Sequence, residues 1–137
     1  MFVTVFYAVF NLDTGKVIYA NAGHNPPIIK YSHSDELIEL TRTSIALGIF
    51  DDIEVLEREV SLNPGDWILL YTDGLTEAFS ANEEMFGTKR LFDLLQRNQY
   101  TSSKAILDMI VGAVQDFIKG AEIADDLTLA VIINKLA

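Results

Sequence analysis

Cysteine is absent from this chain of 137 residues, so neither a disulfide nor a thiolate-held metal can contribute to it. Cations are scarce: 10 Lys and Arg stand against 20 Asp and Glu, for a formal net charge of -10. That balance argues against nucleic acid as a partner, because phosphate contacts need Lys and Arg gathered on one face. The same field supports solubility, and it repels phosphorylated substrates unless cations intervene. No apolar run reaches the ~18 residues of a membrane span. Phe2 to Phe10 is apolar but alternates and lacks a basic flank, so it makes a poor signal peptide. Linkers, low-complexity tracts and internal repeats are missing as well. What remains is a chain in which 50% of residues are hydrophobic, enough for one modest domain with its own core.

Phe2 to Phe10 and Lys16 to Ala22 read as two arms of a β-hairpin, with Gly15 supplying the positive φ of a short loop. Pro26-Pro27 forces extension, and Ile28 to Tyr31 and Glu36 to Leu40 follow as short strands. Ile53 to Leu62 is extended and interrupted by charges, as expected of a strand with a wet face or at a sheet edge. Two helices come next. Thr88 to Asn98 carries Leu91, Leu94 and Leu95 at helical spacing. Ser102 to Lys119 carries a wide apolar stripe from Ala105 to Ile118, with Thr101, Ser102 or Ser103 to cap its start and Gly120 to end it. Strands, then helices, then a returning strand predict an α+β fold with helices packed on antiparallel sheet. The aromatics Phe2, Phe6, Tyr7, Phe10 and Tyr19 are expected in the core.

The chemistry concentrates at Tyr71-Thr72-Asp73-Gly74. The apolar run Trp67-Ile68-Leu69-Leu70 delivers Asp73 to the end of a buried strand, with a glycine directly behind it. A second acidic pair, Asp125-Asp126, precedes the apolar run Leu127 to Ile133. If these two strands pair antiparallel, Asp73 and Asp125 meet at one edge of the sheet. Converging aspartates make a hard-oxygen site of the kind that holds magnesium or manganese.

Asn21-Ala22-Gly23-His24-Asn25-Pro26-Pro27, Leu47-Gly48, Pro64-Gly65-Asp66, Tyr71-Thr72-Asp73-Gly74, Phe86-Gly87 and Asp125-Asp126-Leu127-Thr128 stand in this order. Together they resemble the C-terminal portion of a SpoIIE/RsbU-type phosphatase, a member of the PPM (type 2C, metal-dependent) serine/threonine phosphatases. The resemblance covers essentially the whole chain as a single partial domain, residues 1-137. It implies an antiparallel β-sandwich flanked by helices on both sides. It also implies a two-metal site, Mn2+ or Mg2+, that activates water for attack on phosphoserine or phosphothreonine. By this carry-over Asp73 and Asp125 are metal ligands, while Gly74, Asp126 and His24 surround them. The implied substrate is a phosphorylated anti-sigma-factor antagonist in bacterial signalling, and the implied compartment is the cytoplasm.

One departure from the family stands out. The first metal motif, Asp-x-x-Gly, should precede a helix leading into Met1, and neither Asp13 in its hairpin turn nor Asp35 in its polar loop can replace it. The chain is therefore expected to represent the C-terminal two-thirds of the domain, to show little phosphatase activity alone, and to expose a sheet edge that favours a homodimer or lowers stability. Simpler roles compete at each position. Asp73 is also a turn former before glycine, His24 a loop-fixing residue, Glu77 an ordinary helix-start residue, and His33 and Glu83-Glu84 solvated. Two other functions stay open: a non-catalytic interaction module with the same fold, and an unrelated phosphohydrolase using Asp73 as nucleophile. The short turns of the first half argue against the parallel sheet the latter uses.

Overall fold

Val5–Phe10 (β1) and Lys16–Ala22 (β2) form the expected hairpin, paired antiparallel from Val5↔Ala22 to Phe10↔Val17. Gly15 closes the turn at φ +77, and a Cβ there would lie 2.2 Å from the Leu62 carbonyl oxygen, so only glycine fits. These features come from a computed structural model, which describes residues 1–97, 99–100, 102–121 and 126–135.

Arg58–Ser61 (β5) joins the other side of β2 and completes a three-stranded sheet, order β1-β2-β5. The charged 53–62 segment is thus an edge, as its composition predicts, although only these four residues pair. A second sheet has the order β4-β3-β6-β7, all antiparallel, from Ile28–Lys30 (β3), Leu37–Glu39 (β4), Trp67–Tyr71 (β6) and Leu129–Ile133 (β7). A single helical turn, Asp73–Thr76 (α1), follows β6; Gly87–Arg97 (α2) and Ser103–Ile118 (α3) come after it.

Strand β6 separates two apolar layers because its side chains alternate between faces. Ile68 and Leu70 join Val17, Tyr19, Ile29, Leu40 and Leu62 between the sheets. Trp67, Leu69 and Tyr71 join the buried stripe of α3, in which Ile106, Ile110, Val114 and Ile118 recur every four residues. Ser102 caps α3, its hydroxyl accepting from the Ala105 amide at 3.1 Å. Lys119 takes the left-handed conformation at the end of α3, one residue before Gly120. Thr101 and Asn98, also named in the helix readings, lie outside the described residues.

One expectation needs correction. Phe6, Phe10 and Tyr19 pack between the sheets, but Tyr7 is 65% exposed and Phe2 63%. Tyr7 alternates onto the outer face of the three-stranded sheet with Val9 and Ile18, all exposed. Phe2 precedes the paired part of β1. The antiparallel sheets with helices packed on them match the expected fold class. Among the described residues, α2 and α3 pack on the four-stranded sheet, and no helix lies on the outer face of β1-β2-β5.

Candidate metal and phosphate site

The β6–β7 ladder ends at Tyr71↔Leu129. One residue further, the Thr72 amide donates to the Thr128 carbonyl at 3.2 Å, and the Thr128 amide donates to the Thr72 hydroxyl at 3.3 Å. This antiparallel pairing sets the segments carrying Asp73 and Asp126 side by side. They line one cavity of about 380 Å³, together with Thr4, Gly23, His24, Asn25, Arg42, Thr72 and Thr128.

Gly74 makes the approach possible. A Cβ on it would lie 2.1 Å from the Asp126 carbonyl oxygen and 3.2 Å from the Leu127 Cα. Gly74→Ala therefore separates the two acidic segments. In α1 the substitution by itself favours the helix by about 1 kcal/mol, whereas crowding a packed contact costs about 1–3 kcal/mol. Crowding wins, and the urea midpoint falls; a raised midpoint would mean that the 126–127 backbone simply gives way.

Asp73 is exposed at the mouth of the cavity. Its Oδ1 accepts a hydrogen bond from the Asn25 side-chain amide at 2.6 Å, which fixes the carboxylate plane and leaves Oδ2 without a partner among the described residues. Burial, followed by the charges of Glu39 and Asp73, pushes the Tyr71 phenol above its ordinary 10. Glu39 and Asp73 thus add to the effect of burial at this end of β6.

Asn25 owes its place to Asn21, which is fully buried at the end of β2. The Asn21 side chain accepts from the His24 amide at 2.9 Å and donates to the Leu40 carbonyl at 3.0 Å. The Asn21 backbone amide donates to the Thr43 hydroxyl, and its carbonyl accepts from the Thr43 and Ser44 amides. One side chain and its peptide groups thus hold the 23–25 loop and the 40–44 segment together. His24 lines the cavity with its Nδ1 3.2 Å from the Thr4 hydroxyl.

Of the residues expected at the site, Asp73, Gly74, Asp126 and His24 converge here, and Asp125 lies outside the described residues. Asp13 is in the turn at the other end of the β1–β2 hairpin, and Asp35 lies 3.5 Å from the Lys30 Nζ at the far end of β3. Glu77 is the exposed cap of α1 and does not line the cavity. His33 is exposed beside Tyr31, and Glu84 pairs with Arg90 at 3.3 Å. Sequence reasoning missed the work of Asn21 and Asn25, although both stand in the Asn21–Pro27 motif, and it missed Arg42, which no pattern marks.

The donors fit a hard cation. They are carboxylate, hydroxyl and amide oxygens around an open, polar space, where Mg2+ or Mn2+ can keep several waters. Among the described residues no group of three or more His, Cys, Asp or Glu gathers, so water would supply most of the coordination there.

Comparison with known proteins agrees with this arrangement. The chain is 33% identical over 132 residues to Protein IcfG of Synechocystis sp., spanning 96% of this chain and 20% of that protein. It is 30% identical over 139 residues to phosphoserine phosphatase RsbU of Bacillus subtilis, spanning 99% of this chain and 40% of RsbU. The chain thus spans less than half the length of either relative. The Mn-presoaked phosphatase domain of SpoIIE from Bacillus subtilis superposes with a TM-score of 0.71 at 18% identity, over 96% of this chain and 56% of that one. At that identity the likeness speaks for the fold. No described helix is long and apolar enough to cross a membrane. With β6 and β7 bringing their acidic ends to one cavity, and a family match running through residues 1–134, the chain belongs to the Stage II sporulation protein E (SpoIIE) family.

Proposed function

We propose that this domain removes phosphate from phosphoserine or phosphothreonine on a protein, with Mn2+ or Mg2+ held through Asp73 and Asp125 and with Asp126 beside them. The observation that carries the reading is the β6–β7 pairing, which sets Asp73 and Asp126 on one cavity. When bound, the metal supplies Lewis acidity and neutralises phosphate charge in an acidic protein. The chain's own residues prepare the place. Asn25 orients Asp73, Gly74 admits the 126–127 backbone, and the Thr72–Thr128 pair ties the two strand ends.

RsbU is named a phosphoserine phosphatase, and that chemistry suits a polar cavity of about 380 Å³ lined by Asp73 and Asp126. The proposed substrate is a phosphorylated anti-sigma-factor antagonist in the bacterial cytoplasm. The test is manganese-dependent phosphate release from a phosphoserine protein by the chain joined behind a segment bearing the Asp-x-x-Gly motif, beside the same protein carrying Asp73→Asn. Release that collapses in the variant supports the reading. No release from either protein, both folded and supplied with metal, would turn it toward a binding module.

A further inference from the structure

Among the described residues, Arg42 is the one permanently cationic residue lining the Asp73 cavity. In a protein of net charge -10, a guanidinium on a cavity that two aspartates also line would ordinarily pair with a carboxylate within its reach. Among the described residues Arg42 makes no ion pair and no side-chain hydrogen bond. Its backbone, by contrast, is held on both sides. The Leu40 carbonyl is bound by the Asn21 side chain, and the Thr43 and Ser44 amides by the Asn21 carbonyl. Arg42 thus stands exposed, and unpaired among the described residues, on a hydrogen-bonded segment at the wall of the cavity that Asp73 and Asp126 line. The same buried asparagine positions the loop whose Asn25 holds Asp73.

The chemistry narrows the ligand. A carboxylate-lined cavity rejects a dianion unless positive charge meets it. Guanidinium matches two oxygens of a tetrahedral phosphate at once, which ammonium cannot. We propose that Arg42 binds the phosphoryl group of the substrate, through two of its terminal oxygens, and sets its position against Asp73. This rests on the phosphatase reading and names a substrate-binding residue within it.

The test separates the two claims by measuring binding without turnover. The chain is titrated with inorganic phosphate and with a phosphoserine peptide in Mg2+, following backbone amide signals by NMR, as wild type, Arg42→Ala, Arg42→Lys and Asp73→Asn. Arg42→Ala is expected to weaken both ligands about tenfold, the size of a lost hydrogen bond to a charged group. Arg42→Lys restores part of the loss, the effect shrinks with added salt, and the unphosphorylated peptide does not bind. Equal binding by wild type and Arg42→Ala, or none by either, overturns the proposal. So does an Arg42 effect seen only with acidic residues flanking the serine and absent with inorganic phosphate. If hydrolysis fails but Arg42-dependent phosphate binding persists, the catalytic reading falls alone. In the hydrolytic protein, Arg42→Ala raises KM by a similar factor and changes kcat less.

Discussion

In the chain joined behind an Asp-x-x-Gly segment, Asp73→Asn is expected to lower metal-dependent phosphate release by at least a hundredfold while leaving the fold intact. Groups that merely support a metal ligand cost about 10–100-fold when removed, and a carboxylate in direct contact with the ion contributes more. The amide keeps the shape of the side chain and can still accept from Asn25, but it loses the charge that holds a hard cation. Stability barely moves, because Asp73 is exposed and the bond from the Glu77 amide goes to its backbone carbonyl. Surface changes of this kind stay within about 0.5 kcal/mol. Two measurements check this: Mn2+ binding by calorimetry, and thermal melting followed by circular dichroism. A variant that binds Mn2+ and turns over like wild type would remove Asp73 from the metal site.

Asn21→Ala has the largest expected effect on stability. The side chain is buried and serves two partners, so its loss strands the Leu40 carbonyl and the His24 amide. Each unpaired group costs about 1–3 kcal/mol when buried; because His24 is only half-buried, the total is about 2–4 kcal/mol. For a domain of this size that lowers Tm by roughly 10 °C. Phosphate release falls too, because Asn25 and Arg42 lose a common support. Urea unfolding gives the free energy directly. A loss below about 1 kcal/mol would mean that water replaces the asparagine, and the loops would then need another anchor.

Much of the architecture could be read from local pattern. Gly15 between two alternating arms identified the β1–β2 hairpin, and the four-residue recurrence from Ile106 to Ile118 identified α3. The approach of the Asp73 segment to that of Asp126 followed from their places beside two apolar runs, while Asp125 lies outside the described residues. Alternation separates the two faces of a strand without saying which one is covered. Tyr7 and Phe6 look equally suited to a core, yet only Phe6 meets the second sheet. Asn21 and Arg42 were harder still. Buried asparagine has no periodic signature, and the value of Arg42 comes from a cavity whose other walls lie far away in the chain.

That scattering bears on how the domain is made. The cavity draws Thr4 from the segment before the first strand, Asp73 from the middle and Asp126 from the segment leading into the last strand. Among the described residues strand β7 pairs only with β6, and joining them closes a long loop, an entropic cost met before any contact rewards it. During synthesis the N-terminal sheet can form while β7 has yet to emerge. The Asp73–Asp126 cavity therefore closes only once β7 has joined β6, so a cation held there would act on a chain in which that pairing has already formed.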